Sequence, residues 1–219
     1  MTMKLVIGNK NYSSWSLRPW LAMRGCNIGF EEIFIPLYTE DKADKDRILS
    51  FSPAGKVPIL IDGDIAVWDS LAIIEYLAER FPNAGLWPHD AAERAHARSI
   101  SAEMHSGFVP LRSACGMNLH RSVRAVALSD DARANVARIE EIWSECLMRH
   151  NARGPFLFGA FSAADAMFAP VVHRFRTYAI EVSPQAKAYM DTMWTFPAFA
   201  EWTRDGLAET IVIPKFEND

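Results

Sequence analysis

Three hydroxyls stand close together in NYSSWS, at Tyr12, Ser13 and Ser14, where a polar loop runs into a helix. Lys4 to Gly8 is a short apolar run that fits a buried strand, and Asn9 to Ser14 is turn-like. From Trp15 the period changes, with Leu17, Trp20, Leu21 and Met23 at helical spacing. Free amides and the positive dipole end at a helix start favour an anion, and a neighbouring hydroxyl can donate to it. The plainer alternative is that one serine caps the helix beginning at Trp15.

A second polar pair, Asp69 and Ser70, opens another helix inside KVPILIDGDIAVWDSLAIIEYLAERF, Lys56 to Phe81. A strand opens at Pro58, a tight turn falls on Asp62, Gly63 and Asp64, and a second strand runs from Ile65 to Trp68. Leu71, Ile74, Tyr76, Leu77 and Phe81 then follow at helical spacing. Pro58 cannot donate a ladder hydrogen bond, which frees the backbone before it for another partner. Together these features suggest a pocket for an extended, charged peptide; an ordinary hairpin with an Asp or Ser N-cap is the alternative.

The elements that hold these residues fall into two groups. Phe30 to Leu37 reads as a strand and the charged run TEDKADKDRIL as a short helix with a solvated face. With the hairpin, the order becomes strand, helix, strand, helix, strand, strand, helix. PNAGLWPHD reads as a linker, and everything beyond it is helical. A long helix covers 91–118, bent around Gly107 and Pro110, and another covers Asp130 to His150. Further helices near 162–177, 184–194 and 197–208 complete a bundle, with IVIPKFEND as a tail. Ser162 and Asp165 form a capping box. In the first helix Pro19 should lie in the first turn, and Gly25 should stop it.

The 219 residues, 50% of them hydrophobic, suffice for one large or two small packed domains. A formal charge of -4 gives no electrostatic reason to expect nucleic acid or an acidic membrane. The absence of a long apolar run or signal-peptide pattern argues for no membrane association and a cytoplasmic location. Cys26, Cys115 and Cys146 are read as buried reduced thiols. Without HExxH, a Walker loop, GxGxxG or GxSxG, neither a metal nor a nucleotide is expected.

SPAGKVPIL followed by WDSLAIIEYL resembles the glutathione-binding half of the cytosolic glutathione S-transferase family, and the likeness extends over nearly the whole chain. It implies an α/β plus all-α fold: a thioredoxin-like domain (βαβαββα) at residues 1–81, a linker at 82–89, and an all-helical domain at 90–219 contributing a hydrophobic electrophile site. It implies a cis Val57–Pro58 pair offering backbone to the cysteinyl part of glutathione, and an Asp69–Ser70 pair holding the γ-glutamyl carboxylate. Lys56 joins the glutathione-binding set, and Lys42 is a candidate for the glycine carboxylate.

SSWSLR looks like the serine-type loop of the zeta, theta and delta classes, which maps the thiol donor to Ser13. Ser14 then caps the helix or touches a carboxylate of glutathione, with Ser14 and Tyr12 as alternative donors. Arg18 either lends positive potential to the thiolate or pairs with an acid on the surface. Met104, His105, Phe108, Arg112, Met117 and Asn118 are candidates for the electrophile wall, with core packing as the other reading. Trp15 and Leu17 depart from the zeta pattern, which puts zeta-type isomerisation in doubt. No CPYC-like pair is present, which argues against thiol exchange. The expected activity is addition of ionised glutathione to a hydrophobic electrophile. Alternatives are a glutathione-dependent isomerase of the maleylacetoacetate type, a peroxidase, or a non-catalytic binding or regulatory protein. A homodimer is implied as well.

Overall fold

Side chains alternate across the first strand, and this decides what each face of the sheet buries. In β1 (Lys4–Ile7), Leu5 and Ile7 enter the larger core while Val6 joins Ile35, Ile48 and Ile59 on the opposite face. The computed structural model describes residues 2–217. After β1 come α1 (Ser14–Gly25), β2 (Glu31–Phe34), α2 (Lys42–Phe51), β3 (Ile59–Asp62), β4 (Ile65–Trp68) and α3 (Ser70–Arg80). The sheet order is β2-β1-β3-β4, with β2 parallel to β1 and the β3–β4 hairpin antiparallel. This is the βαβαββα order expected from the sequence. Gly63 takes φ +60 in the hairpin turn, a conformation that costs glycine little.

The helical part comprises α4 (Ala91–Ser106), α5 (Val109–Ala114), α6 (Asp130–His150), α7 (Ala163–Thr177), α8 (Pro184–Thr195) and α9 (Pro197–Ala208). The single bent helix expected over 91–118 is two helices. Phe108 adopts a left-handed conformation (φ 59, ψ 31) between them, and 115–129 carries no helix. α7 is buried along nearly its whole length against α1 and α4, so both parts share one apolar core. The Ser162–Asp165 capping box is present: Asp165 accepts from the Ser162 and Leu157 amides and from the Tyr189 hydroxyl.

One detail of α1, the place of Pro19, differs from expectation, and its end at Gly25 agrees with it. The helix begins at Ser14, so Pro19 is its sixth residue and lies beyond the first turn, withdrawing the amide that would meet the Trp15 carbonyl. Gly25 is the last helical residue, and packing explains it, since a Cβ there would lie 2.3 Å from the Phe161 ring. Cys115 and Cys146 are buried free thiols, whereas Cys26 is only half-buried. Among the described residues no helix is long and apolar enough to cross a membrane. The outermost residues of the two expected domain ranges, 1 and 218–219, lie outside the described residues.

Candidate functional site

The loop ahead of α1 is held from both halves of the chain. Trp202 Nε1 donates to the Lys10 carbonyl at 3.1 Å, and the Glu209 carboxylate accepts from the Lys10 and Asn11 amides at 2.6 and 3.1 Å. Lys10 Nζ bridges Glu32 and Asp205 at 3.0 and 2.9 Å. Asn9 turns the chain, its carbonyl accepting from the Ser13 amide at 2.8 Å. Ser13 therefore sits on a loop fixed by residues nearly 200 positions away in sequence, the kind of support a precise donor needs.

Ser13 is the N-cap of α1. Its Oγ accepts from the Ser16 amide at 3.3 Å and donates to Ser16 Oγ at 2.8 Å, and Ser16 Oγ also accepts from the Gly8 amide at 3.2 Å. The expectation that Ser14 caps the helix is thus corrected. The Asn9–Ser13 turn delivers Ser13 to the cap position, and Ser14, already helical, turns its Oγ to Arg174 Nη2 at 3.3 Å. Tyr12 is buried: its hydroxyl donates to Glu217 and accepts from the Ile213 amide at 3.3 Å. Burial, then the Glu217 contact, raises the phenol's pKa.

Two adjoining lobes form a cleft beside Ser13. One, of about 660 Å³, is lined by Ser13, Trp15, Tyr38, Lys45, Lys56 and Val57 among others. The other, of about 370 Å³, is lined by Trp15, Ala54, Lys56, Val57, Pro58, Trp68, Asp69 and Ser70. Trp15, Lys56 and Val57 border both, so the two lobes adjoin along these residues, each of a size typical of small-molecule sites. The Val57–Pro58 bond is cis.

Asp69 caps α3, its Oδ1 accepting from the Leu71 amide at 2.8 Å, and its backbone is held at φ 76 and ψ 137. That conformation is costly outside glycine, and such strain persists where surrounding structure fixes it. Asp69 Oδ2 faces His105 Nε2 at 3.3 Å. Ser70 is 1% exposed and its Oγ has no partner, an orphaned hydroxyl beside the lobe.

The other candidates are scattered. Lys42 is exposed and pairs with Asp46 at 2.6 Å, while Lys45 and Lys56 are the lysines at the cleft. Met104, Phe108 and Met117 are buried in the core. Asn118 binds the C-terminal segment, donating to the Phe216 carbonyl at 3.3 Å and to Glu217 at 3.1 Å. His105 and Arg112 lie against Trp15, which borders the cleft, with the His105 ring 5.2 Å and the Arg112 guanidinium 4.6 Å from the Trp15 ring. Burial lowers the His105 pKa, with Asp69 opposing and Arg18 and Arg112 assisting, so the ring is neutral near pH 7. Arg18 is 1% exposed and stacks on Trp15 at 4.3 Å, so the expected surface pairing with an acid does not occur. Sequence reasoning did not single out Trp15, Ser16 and Lys45, because only the fold shows that Trp15 borders both lobes, that Ser16 backs Ser13 and that Lys45 lines the cleft.

Residues 12–80 match the family model of the glutathione S-transferase N-terminal domain, and residues 119–205 that of the C-terminal domain. A Caenorhabditis elegans protein named probable maleylacetoacetate isomerase is 30% identical over 201 residues, covering 90% of this chain and 91% of that one. The chain belongs to the glutathione S-transferase family. Arabidopsis thaliana glutathione S-transferase Z1 is 28% identical, covering 87% of this chain and 89% of that protein. A crystal structure of a glutathione transferase homolog from Burkholderia gl BGR1, with bound glutathione, superposes with a TM-score of 0.72. It is 20% identical and covers 95% of this chain and 100% of that one, a likeness of fold. The protein is a glutathione transferase with glutathione as co-substrate.

Proposed function

We propose that this transferase binds glutathione across the two lobes, with Ser13 activating the thiol for addition to an electrophile held on the His105–Arg112 side of Trp15. The observation that carries this reading is the pair of adjoining lobes, which share Trp15, Lys56 and Val57 and place Ser13 in one and Pro58, Asp69 and the unpartnered Ser70 hydroxyl beside the other. A tripeptide laid along them meets a hydroxyl at its centre and a charged pair at one end. Lys45 and Lys56 are placed for the glycine carboxylate, a role better suited to them than to Lys42.

A free thiol with pKa near 8.5 must fall by about two units to be largely ionised at neutral pH, which takes about 2.7 kcal/mol. A hydroxyl donating to a charged sulfur supplies about 1.5–3 kcal/mol, and a helix N-terminus about 0.3–1 kcal/mol. The two together suffice. Ser13 Oγ–H points to Ser16 Oγ in the free protein. For donation to sulfur the pair reverses, Ser16 donating to Ser13 and Ser13 to the thiolate, while the Gly8 amide keeps Ser16 fixed.

The domain assignment follows the same reading: residues 1–81 bind glutathione, 82–89 link, and 90–219 supply the electrophile side. The protein is proposed to act in the cytoplasm as a homodimer, with α3 packing near α4 of a second copy. Isomerisation is the second reading, favoured by the 30% identity to the protein named probable maleylacetoacetate isomerase. Retention on glutathione-agarose, followed by assays with a generic aryl halide, maleylacetoacetate analogues and organic hydroperoxides, separates these activities. Tight binding without turnover of any of them would favour a non-catalytic binder.

A further inference from the structure

Tyr38 stands in a conformation that a bulky residue rarely takes. Its backbone is left-handed at φ 56, its side chain is 64% exposed, and it lines the larger lobe together with Ser13, Lys45 and Lys56. A positive φ outside glycine is costly, and such positions gather where a site uses the residue. What steadies Tyr38 comes from the far end of the chain. The Phe216 ring meets it edge-on with centroids 5.3 Å apart, and Lys215 Nζ lies 3.0 Å from the centre of the Tyr38 ring.

The segment that carries these two residues is tied to the loop ahead of α1. Ile213 is buried and its amide donates to the Tyr12 hydroxyl at 3.3 Å, while that hydroxyl donates to Glu217. Phe216 also packs on the Tyr12 ring, with centroids 5.6 Å apart. Asn118 Nδ2 closes the arrangement, donating to the Phe216 carbonyl at 3.3 Å and to Glu217 at 3.1 Å. Phe216 therefore stands between two tyrosines, one buried next to Ser13 and one open on the lobe wall. Residues 213–217 lie outside the ranges 12–80 and 119–205 that match the two family models.

We propose that Tyr38 is a glutathione-binding residue whose ring packs against the glycyl end of the tripeptide, and that Phe216 is a positioning residue that holds the ring in place. This rests on the glutathione-transferase reading, and adds to it a contact and the segment that controls that contact. Tyr38 shares its lobe with Lys45 and Lys56, the lysines placed for the glycine carboxylate, whereas Asp69 and Ser70 border the other lobe. An exposed ring with nothing behind it would have to be ordered by each arriving ligand, at a cost in side-chain freedom. With Phe216 and Lys215 against it, much of that ordering is complete before glutathione arrives.

Titration calorimetry of the intact protein with glutathione and with γ-glutamylcysteine, which lacks the glycyl residue, tests it. Tyr38→Ala and Phe216→Ala should each weaken glutathione binding about two- to tenfold, the range of one aromatic contact, and leave the affinity for γ-glutamylcysteine in place. Tyr38→Phe keeps the ring and should keep the wild-type affinity. The double variant should bind glutathione no more weakly than Tyr38→Ala alone, since Phe216 acts through Tyr38. Both side chains are exposed, and Tyr38→Ala serves even if Phe216→Ala does not fold. Wild-type glutathione affinity in Tyr38→Ala overturns the proposal, as does an equal loss for both peptides, which would mark general damage to the site. Additive losses in the double variant overturn the positioning role of Phe216. Failure of the wild-type protein to bind either peptide would remove the transferase reading itself, and is recognised by that arm alone.

Discussion

Asp69 has a capping role and a proposed binding role that substitution can separate. Its Oδ1 caps α3 through the Leu71 amide at 2.8 Å, and its carboxylate borders the lobe proposed for the γ-glutamyl end of glutathione. Asp69→Asn keeps a good N-cap but removes the charge; Asp69→Ala removes both. A charged hydrogen bond is worth about 1.5–3 kcal/mol, so both variants should raise the KM for glutathione roughly ten- to a hundredfold. In the proposed binding mode this contact is remote from sulfur and alike in ground and transition states, so kcat should hold nearly constant. Only Asp69→Ala should lose the cap, about 1 kcal/mol, or roughly 2–4 °C in Tm for a chain of this size. Steady-state kinetics at varied glutathione, beside thermal unfolding of the same preparations, gives all four quantities. A folded Asp69→Asn protein with unchanged KM would refute the assignment of this lobe.

Ser16→Ala should raise the pKa of bound glutathione by less than one unit, since it removes the residue behind the donor, and should destabilise the fold by about 1–3 kcal/mol by stranding the Gly8 amide. Thiol titration and urea unfolding of the variant check both effects. Burial, with Arg174 and Arg176 adding to it, pushes the His173 pKa down to about 3 from an ordinary value of 6.5, so the folded protein holds this ring neutral. Its stabilisation is complete above pH 6.5 and is lost as pH falls from there toward 3, at up to about 1.4 kcal/mol per unit. His173→Phe, which can keep the stacking on Phe199, should flatten this part of the urea-midpoint profile. Sedimentation equilibrium at micromolar concentration should give twice 24.6 kDa, and a mass near 24.6 kDa would count against the dimer.

The hairpin and α3 were legible because their signals are local. An Asp-Gly turn, alternating strands and an apolar stripe each specify conformation within a few residues, and the Ser162–Asp165 box is of the same kind. The cap on α1 was not legible, because which serine holds it depends on a turn braced by Trp202 and Glu209. Arg18 illustrates the opposite error. Helical spacing put it in α1, yet α7 and α5 bring Arg174 and Arg112 beside it and shut out the solvent that an arginine normally meets. The electrophile candidates came from one stretch of chain. A helix presents its faces to different surroundings, so Met104 went to the core while His105, its neighbour, reached Asp69.

The central claim is that Ser13 ionises the thiol, and ultraviolet thiolate absorbance of bound glutathione, titrated against pH, tests it most directly. The wild-type complex should titrate about two units below the free thiol. Ser13→Ala should recover about one to two of those units, the equivalent of a lost hydrogen bond of about 1.5–3 kcal/mol, with binding little changed. Ser14→Ala and Tyr12→Phe, whose hydroxyls serve Arg174 and the C-terminal segment, should titrate as wild type. A wild-type titration curve from Ser13→Ala, with the shift found in either of the other two variants, would contradict the account and transfer the role to that residue.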